Sequence, residues 1–230
     1  MPIQIARVND GAYLLCVNGF VLPQEQYHSA KPEDLARTVR FGLYESLFSA
    51  WDKEVAVVSS MGKQSTGKSY LLNHLFGTHF DVSGDRCTDG VWLSVQVVDE
   101  VMWVILDFEG LGSPERRPLD DVKLCVFNAA ISDCTIFRID HAVDRELLRT
   151  FERMAQAAES KVGSSKEDLL NQGNLLICPK DISRDSVAGV KRELKRKLGI
   201  KGRDGGEGLI ISEAFEKLHQ VCFGLFTLKI

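Results

Sequence analysis

The 230-residue chain lacks the sequence features that mark nucleic-acid-binding, membrane-spanning, secreted and repeat proteins. Its formal net charge is only −4, which gives no general attraction to nucleic acid. No stretch is apolar for long enough to span a bilayer, and the opening MPIQIARVND contains no signal-peptide core. We find no internal repeat and no low-complexity tract. The length allows one sizeable core, so a single globular domain is expected.

Cysteine and histidine are too few and too scattered to define a zinc-type site. The six cysteines include no C-x-x-C pair, and the five histidines show no metal-ligand spacing. In the absence of a secretory context, the cysteines are expected to be reduced thiols. We therefore expect a cytoplasmic protein whose histidines are structural.

What the sequence does contain is a regular alternation of strand and helix patterns. Residues 2–17 predict a hairpin, and apolar residues at every fourth position predict an amphipathic helix between residues 32 and 51. The apolar runs 91–98 and 101–107 predict a second hairpin, after which strand and helix patterns continue to alternate. This order predicts an α/β fold, with a mostly parallel central sheet, one antiparallel edge strand and helices on both faces.

Residues 62–69, GKQSTGKS, have the G-x-x-x-x-G-K-[ST] spacing of a phosphate-binding loop. They lie between the strand pattern VAVVSS and the helix pattern SYLLNHLFG, so loop amides cradle phosphates and the helix offers its positive end. Lys68 is predicted to reach the β- and γ-phosphates, and the Ser69 hydroxyl to bind Mg²⁺. The spacing therefore predicts a P-loop NTPase fold whose nucleotide contacts come from Gly62, Lys63, Gln64, Ser65, Thr66, Gly67, Lys68 and Ser69.

The segment LDFEGLG, residues 106–112, ends an apolar strand pattern. Asp107 is expected at the carboxyl edge of the sheet, where its carboxylate holds a Mg²⁺-bound water. Gly110 is expected to bring its amide to the γ-phosphate. For Glu109 two interpretations remain, a functional role at the site and a solvated acid in a loop. Thr88 lies in the polar loop DRCTDG, and its hydroxyl is expected to complete the Mg²⁺ shell with triphosphate bound and to leave after hydrolysis.

A candidate base-reading motif, CPKDIS, follows the strand pattern NLLIC. A carboxylate at Asp181 accepts two hydrogen bonds from the N1–H and the N2 amino group of guanine, and adenine offers neither donor there. The motif departs from the usual N-K-x-D pattern because Lys180 and Asp181 are adjacent. A helix cap is the alternative reading of Asp181.

Taken together, GKQSTGKSYLLN, RCTDGVW, LDFEGLG and the Lys-Asp pair resemble the dynamin-superfamily GTPases. The resemblance is particularly to the branch of guanylate-binding proteins, atlastins and very large inducible GTPases, and it covers roughly residues 50–185. It implies a Mg²⁺-dependent GTPase whose GTP-loaded domains pair face to face. Carried over onto this sequence, it assigns Thr88 to the first switch, Asp107 and Gly110 to the second switch, and Lys180 and Asp181 to the guanine base.

The sequence departs from that branch at the place where catalytic charge is supplied. Guanylate-binding proteins and atlastins carry an arginine where this chain has Ser65, and small GTPases keep a water-orienting glutamine where it has Leu111. The pair Gln64-Ser65 instead resembles the loop of dynamins and very large inducible GTPases. We therefore expect Gln64 and Ser65 to position water and a monovalent cation, with Arg86 as the alternative source of charge. With Thr88, these are the candidate catalytic residues.

The first functional hypothesis is a Mg²⁺-dependent, dimerisation-coupled hydrolysis of GTP to GDP and phosphate by one GTPase domain, residues 1–230. One rival is a nucleotide-gated interaction module with little or no turnover, and another is an ATP-binding P-loop protein. The chain stops on an apolar strand pattern, FGLFTLKI, and lacks the family's helical stalk, so a fragment or an isolated domain is expected. Any membrane is expected to be reached only through parts absent from this sequence, and nucleic acid is not expected as a partner.

Overall fold

A computed structural model describes residues 1–9, 12–23, 25, 40–82, 88–113, 117–140, 145, 148–149, 174–180, 184–197 and 221–223. Within these residues, strands β1 to β9 form one sheet in the order β3-β2-β1-β5-β6-β4-β7-β8-β9. The strands are β1 Ile3–Asn9, β2 Ala12–Val17, β3 Phe20–Val21, β4 Val55–Gly62, β5 Val91–Val98, β6 Val101–Phe108, β7 Cys134–Ile139, β8 Asn174–Pro179 and β9 Val221–Phe223.

The described helices are short and begin or end at recognisable signals. Helix α1 (Glu45–Ala50) follows a 3-10 turn over Gly42–Tyr44. The continuous amphipathic helix predicted between residues 32 and 51 is wrong over its described part, because residues 40 and 41 are not helical, Gly42 has φ of 56° and Leu43 is exposed. Helix α2 (Lys68–Phe76) ends at Gly77, which has φ of 63°. Helix α3 (Pro118–Ile131) begins with proline, and α4 spans Val187–Lys197. None of the helices in the described ranges has the length and apolar character needed to cross a membrane.

The sheet divides into a parallel half and an antiparallel half. In the parallel half, β4 pairs with β6 and β7, β7 pairs with β8, and β8 pairs with β9. In the antiparallel half, β1 pairs with β2 and β5, β2 pairs with β3, and β5 pairs with β6. The carboxyl ends of the parallel strands therefore meet at one edge, which is where open α/β sheets bind their ligands.

The predicted α/β fold is confirmed, but its antiparallel part is larger than the one edge strand expected. Strand β5 is an inner strand, because the N-terminal hairpin pairs with it through Ile3↔Leu93 and Gln4↔Trp92. A two-stranded hairpin is marginal alone, and here Ile3 and Ala6 are buried in the same core as the rest of the sheet. The local pattern predicted the hairpin correctly and contained no information on which strand it joins.

Helices cover both faces of the sheet, as predicted. Because side chains alternate along a strand, Val58 and Met61 of β4 lie on opposite faces. Val58 packs in one apolar cluster with Leu71 and Leu72 of α2. Met61 packs in the other cluster with Leu124 of α3. The two clusters hold the carboxyl end of β4, and so the start of the 62–69 segment, between two helices.

Candidate nucleotide-binding site

Residues 62–69 form a tight loop between β4 and α2 whose turns require small residues. Gly62 has φ of 140°, and a Cβ there would lie 2.0 Å from the Arg138 carbonyl oxygen, so a larger residue does not fit. Gly67 caps α2 in the left-handed region at φ of 79°. Ser65 also has positive φ, 59°, which is uncommon for a residue with a side chain, and it is exposed. The loop therefore places the positive end of α2 beside its own backbone.

Two side chains of the loop hold its curvature from inside. Thr66 Oγ1 donates to the Lys63 carbonyl oxygen at 2.8 Å, and Lys68 Nζ donates to the same oxygen at 2.9 Å. Lys68 is only 6% exposed. A buried ammonium group over a loop of backbone amides is suited to binding phosphate oxygens, because charge-assisted hydrogen bonds are roughly twice as strong as neutral ones.

A hydroxyl–carboxylate cluster joins three separate segments next to the loop. Ser69 Oγ donates to Asp107 Oδ2 at 2.6 Å, Thr88 Oγ1 donates to the same atom at 3.3 Å, and the two hydroxyl oxygens are 3.2 Å apart. Asp107 is 1% exposed, and its Oδ1 has no hydrogen-bond partner within the described structure. The structure thus brings together the three side chains that the sequence analysis assigned to Mg²⁺.

The carboxyl group of this cluster is held in an environment that disfavours its charge. Burial raises the pKa of Asp107 to about 6, against the lowering effects of the Ser69 hydrogen bond, the Lys68 charge and the Thr88 hydrogen bond. A cation bound at the unpartnered Oδ1 would instead favour the charged carboxylate and lower the pKa of Asp107. Carboxylate and hydroxyl oxygens are ligands that Mg²⁺ accepts.

The donor set also agrees with the way Mg²⁺ is usually held. The described residues contain no group of three or more His, Cys, Asp or Glu side chains that would form an all-protein metal cage. Mg²⁺ typically uses one or two carboxylates, keeps several waters and takes its remaining ligands from substrate phosphates. One buried aspartate with two hydroxyl groups beside a phosphate loop fits that mode.

The segment after β6 docks directly onto the phosphate loop. Leu111 N donates to the Gly62 carbonyl at 2.9 Å, and Gln64 N donates to the Leu111 carbonyl at 3.1 Å. A Cβ on Gly110 would lie 2.5 Å from Gln64 Cα, so only glycine fits between the two segments. The Leu111 side chain is 4% exposed and packs in the core. A leucine turned into the core does not orient an attacking water.

The chain after Thr88 is tethered by residues that the sequence analysis missed or left open. Gly90 and Glu109 bind each other twice: Glu109 N donates to the Gly90 carbonyl at 2.7 Å, and Gly90 N donates to Glu109 Oε2 at 3.0 Å. Glu109 is therefore a bonded residue of the site's second loop and is not merely a solvated acid. Gln4 Nε2 donates to the Asp89 carbonyl at 2.8 Å, and Arg7 forms an ion pair with the Asp89 carboxylate at 2.7 Å. Nothing in the sequence around β1 signals these contacts.

A buried arginine lies directly beneath the phosphate loop. Arg138, at the carboxyl end of β7, is 6% exposed. Its Nε donates to the Thr66 carbonyl at 3.0 Å, and its Nη1 donates to Cys178 Sγ at 3.3 Å. Arg138 was not predicted as a site residue, although a charged residue inside the apolar strand CTIFRI was a signal.

Two predicted site residues, Arg86 and Asp181, lie outside the described residues. Lys180 is described at the end of β8, where its backbone amide donates to the Ile139 carbonyl at 2.8 Å. The proposed guanine contact therefore stays a prediction. The same is true of the arginine offered as an alternative source of positive charge.

The phosphate loop, the strand-end aspartate and the sheet order define a P-loop α/β nucleotide-binding domain. Residues 38–175 match the family described as guanylate-binding protein, N-terminal domain, and the chain belongs to that family. This confirms the resemblance identified from the motifs.

Curated relatives support the same branch. The chain is 31% identical over 163 residues to Protein SEY1 of Malassezia globosa, covering 64% of this chain and 17% of the relative. It is 41% identical over 95 residues to Protein SEY1 homolog 1 of Paramecium tetraurelia, covering 38% and 12%. It is 43% identical over 72 residues to Interferon-induced very large GTPase 1 of Mus musculus, covering 28% and 3%. The chain thus spans less than a fifth of each of these relatives.

Among solved structures, the mammalian SRP receptor is similar with a TM-score of 0.46 and 18% identity, over 74% of this chain and 89% of that chain.

Proposed function

We propose that this domain binds GTP and hydrolyses it to GDP and phosphate with Mg²⁺ as its cofactor. The observation that carries the proposal is the contact between the phosphate loop and a buried acid, in which Ser69 Oγ lies 2.6 Å from Asp107 Oδ2. P-loop NTPases use this combination to hold a metal–phosphate complex. Membership of the guanylate-binding protein family supports GTP as the nucleotide.

Ser69, Thr88 and Asp107 are the residues that would hold Mg²⁺. Bound there, the ion would neutralise charge on the β- and γ-phosphate oxygens. The Thr88 contacts of 3.2 and 3.3 Å are longer than the 2.6 Å bond between Ser69 and Asp107. The longer Thr88 contacts support the proposal that Thr88 leaves the site after hydrolysis, while Ser69 stays in contact with Asp107.

The chain's own contribution to phosphoryl transfer is positioning and charge. Lys68 donates at present to a neutral carbonyl, and a phosphate oxygen offers it a charged and therefore stronger acceptor. The backbone bridge between Gln64 and Leu111 fixes the second switch against the loop. Such fixed donors stabilise developing charge without reorganisation during the reaction.

Gln64 and Ser65 are proposed to position the attacking water and a monovalent cation within a paired dimer. Two observations support a catalytic contribution from outside the monomer. Ser65 is exposed at the loop, and Leu111 is buried in the core. Specific activity is expected to rise with protein concentration and to be higher in potassium or sodium than in a buffer with neither ion. Concentration-independent activity with a silent Ser65→Ala and a dead Arg86→Ala would instead favour a monomer that uses Arg86.

Ser65 itself offers a matched pair of variants because of its positive φ. Ser65→Gly removes the hydroxyl and relieves the backbone, whereas Ser65→Ala removes the hydroxyl and keeps the strain. If the hydroxyl positions the cation, both variants lose turnover to a similar extent. A loss in Ser65→Ala alone would point to backbone conformation as the cause.

Guanine selectivity is proposed to come from Asp181, with Lys180 beside it. We expect GTP to be preferred over ATP by at least about 100-fold, because adenine offers the carboxylate neither of the two donors that guanine provides. Asp181→Asn should shift the preference towards xanthine nucleotides. Competition experiments with GTP, ATP and XTP on both proteins test this, and equal competition by ATP would move the base site elsewhere.

The second candidate is a nucleotide-gated interaction module that binds GTP, pairs and barely turns over. It is favoured by the serine in place of the family's loop arginine and by the buried Leu111. Turnover per molecule, measured with the dimer fraction on the same samples, separates the two. A GTP-dependent dimer with negligible phosphate release would identify the module. For either function we propose the cytoplasm as the working compartment.

A further inference from the structure

The buried Arg138 forms the floor of the phosphate loop through its backbone as well as its side chain. In the parallel pairing of β4 and β7, Gly62 is opposite Arg138. A Cβ on Gly62 would lie 2.0 Å from the Arg138 carbonyl oxygen, so the two backbones are in close contact. The guanidinium group then reaches the Thr66 carbonyl, four residues further along the loop, at 3.0 Å. One residue thus contacts the loop at its start and at its end.

The same side chain connects the loop to the strand that leads to the predicted base-reading motif. Nη1 of Arg138 donates to Cys178 Sγ at 3.3 Å, and Cys178 lies on β8 shortly before Lys180 and Asp181. Both side chains are buried. The planar guanidinium group has several donors in a fixed arrangement, so it can hold two acceptors at once, and a lysine cannot reproduce that geometry.

The charge of Arg138 has no acidic partner among the described side chains. Its acceptors are a neutral carbonyl and a neutral thiol, and the ion pairs found in the described residues do not include it. A buried charge in neutral surroundings is unfavourable. A polyphosphate bound in the loop above it would supply the opposite charge.

We propose that Arg138 is a positioning residue of the nucleotide site, which anchors the phosphate loop to β8 and places a buried positive charge beneath the phosphates. The proposal rests on the proposed function, because it takes a nucleoside diphosphate or triphosphate as the ligand of the loop. Arg138 does not touch the nucleotide. It acts through the Thr66 carbonyl and through its charge.

This role predicts a loss of nucleotide affinity with little change in the stability of the nucleotide-free protein. Arg138→Met removes the loop anchor and the charge, so GDP affinity should fall at least about tenfold, the effect of losing one hydrogen bond from a charged donor. The nucleotide-free protein should be little destabilised, because replacing a buried charge by an apolar side chain of similar volume is often neutral or stabilising. Arg138→Lys keeps the charge and loses the fork, so its affinity should be intermediate.

The experiment measures GDP affinity by titration calorimetry, and the thermal midpoint with and without GDP, for wild type, Arg138→Met and Arg138→Lys. Arg192→Met serves as the control, because it removes the same side chain from an exposed position on α4. The expected result is a weaker Kd and a smaller GDP-induced midpoint shift for Arg138→Met, with the control equal to wild type.

An Arg138→Met protein with wild-type GDP affinity and a lowered nucleotide-free midpoint would show a merely structural arginine and overturn the proposal. If Arg138→Met does not fold, Arg138→Lys decides, and wild-type affinity in that variant overturns it equally. Failure of the wild-type protein to bind GDP would instead refute the proposed function, so the two failures are distinguishable.

Discussion

The two halves of the sheet differ in how deeply their charged residues are buried. In the parallel half, the polar residues at the carboxyl edge are buried, with exposures of 1% for Asp107 and 6% for Arg138. In the antiparallel half, the charged pair that holds the chain after Thr88 is half exposed, with side-chain values of 49% for Arg7 and 44% for Asp89. Electrostatic interactions are strong in the first environment and screened in the second.

This difference follows from how the two kinds of sheet end. Parallel strands all finish at one edge, so side chains from β4, β6, β7 and β8 converge beneath one loop. Antiparallel strands finish at alternate edges, so this half brings few functional side chains together in one place. It supplies fixed backbone contacts instead, such as the approach of Gly90 to β1, where a Cβ would lie 2.2 Å from the Ala6 carbonyl oxygen. Substitutions in the two halves should therefore affect different properties of the protein, and the sizes of their effects should differ as well.

The largest effect is expected at Lys68. Lys68→Ala should weaken GDP binding on the order of 1,000-fold, because truncating one partner of a buried charge pair costs about 2–5 kcal/mol. Calorimetric titration measures it. Lys53→Ala is the matched control, because Lys53 is an exposed lysine paired with Glu100 away from the loop. Comparable affinities of the two variants would contradict the assignment of residues 62–69.

Asp107→Asn should change stability with pH in a direction opposite to that of most aspartate substitutions. The pKa of Asp107 is raised from 3.8 to about 6 by burial, so the stability it provides is present below about pH 4 and lost as pH rises through 6. At pH 7.5 the nucleotide-free variant should be more stable than wild type by on the order of 3 kcal/mol, and at pH 4 the two should be equal. Urea unfolding at both pH values measures this.

The same substitution should remove the dependence of GTP binding on Mg²⁺. The wild-type Mg²⁺ effect should weaken as pH falls through about 6, because the protonated carboxyl group no longer binds a cation. A variant with the wild-type stability profile and the wild-type Mg²⁺ dependence would show that this carboxylate is not the ligand.

Gly90 tests the antiparallel half through its backbone. Gly90→Ala should lower the free energy of unfolding by about 2–3 kcal/mol, because φ is 74° and the new Cβ meets the β1 backbone. Gly77→Ala is the matched control, since Gly77 has φ of 63° and nothing within 4 Å of an added Cβ. It should lose only about 1 kcal/mol, the cost of the left-handed conformation for a residue with a side chain. Equal losses in chemical denaturation would mean that β1 moves away freely.

The smallest effect is expected at the exposed ion pair. Arg7→Met should cost no more than about 1 kcal/mol, because exposed pairs are screened and lose side-chain entropy. The difference from wild type should vanish in 1 M salt, where the screening length is about 3 Å. A cost that survives high salt would show that Arg7 stabilises β1 by packing.

The site was more predictable than the sheet because its chemistry is encoded in local spacing. Ser69 and Asp107 are 38 residues apart, yet they were expected to meet, because a phosphate loop and a strand end occupy neighbouring places at one sheet edge. The contact of the Gly110 amide with the γ-phosphate stays a prediction, and the structure shows a separate requirement for glycine at this position, the close approach to Gln64. At such positions the local chemistry allows few residue types, so the residue type alone indicates the role of the position.

The tertiary partners of ordinary polar residues were not predictable. Gln4 and Arg138 have side chains with many possible acceptors, and only the three-dimensional pairing of strands selects the Asp89 and Thr66 carbonyls. The pairing of β1 with β5 has the same cause, because an alternating strand pattern fixes which face is buried and not which neighbour is bound.

The covered outer side of β5 has a consequence for shortened versions of this chain. Strand β1 satisfies the backbone of β5 through Ile3↔Leu93, Gln4↔Trp92 and Ala6↔Val91, and all of β1 precedes residue 38, where the family match begins. A recombinant fragment trimmed to residues 38–175 would leave β5 with a free row of amide and carbonyl groups. Such a strand is a template for pairing with a second molecule, so the trimmed fragment should self-associate and precipitate under conditions in which the 230-residue chain stays dispersed.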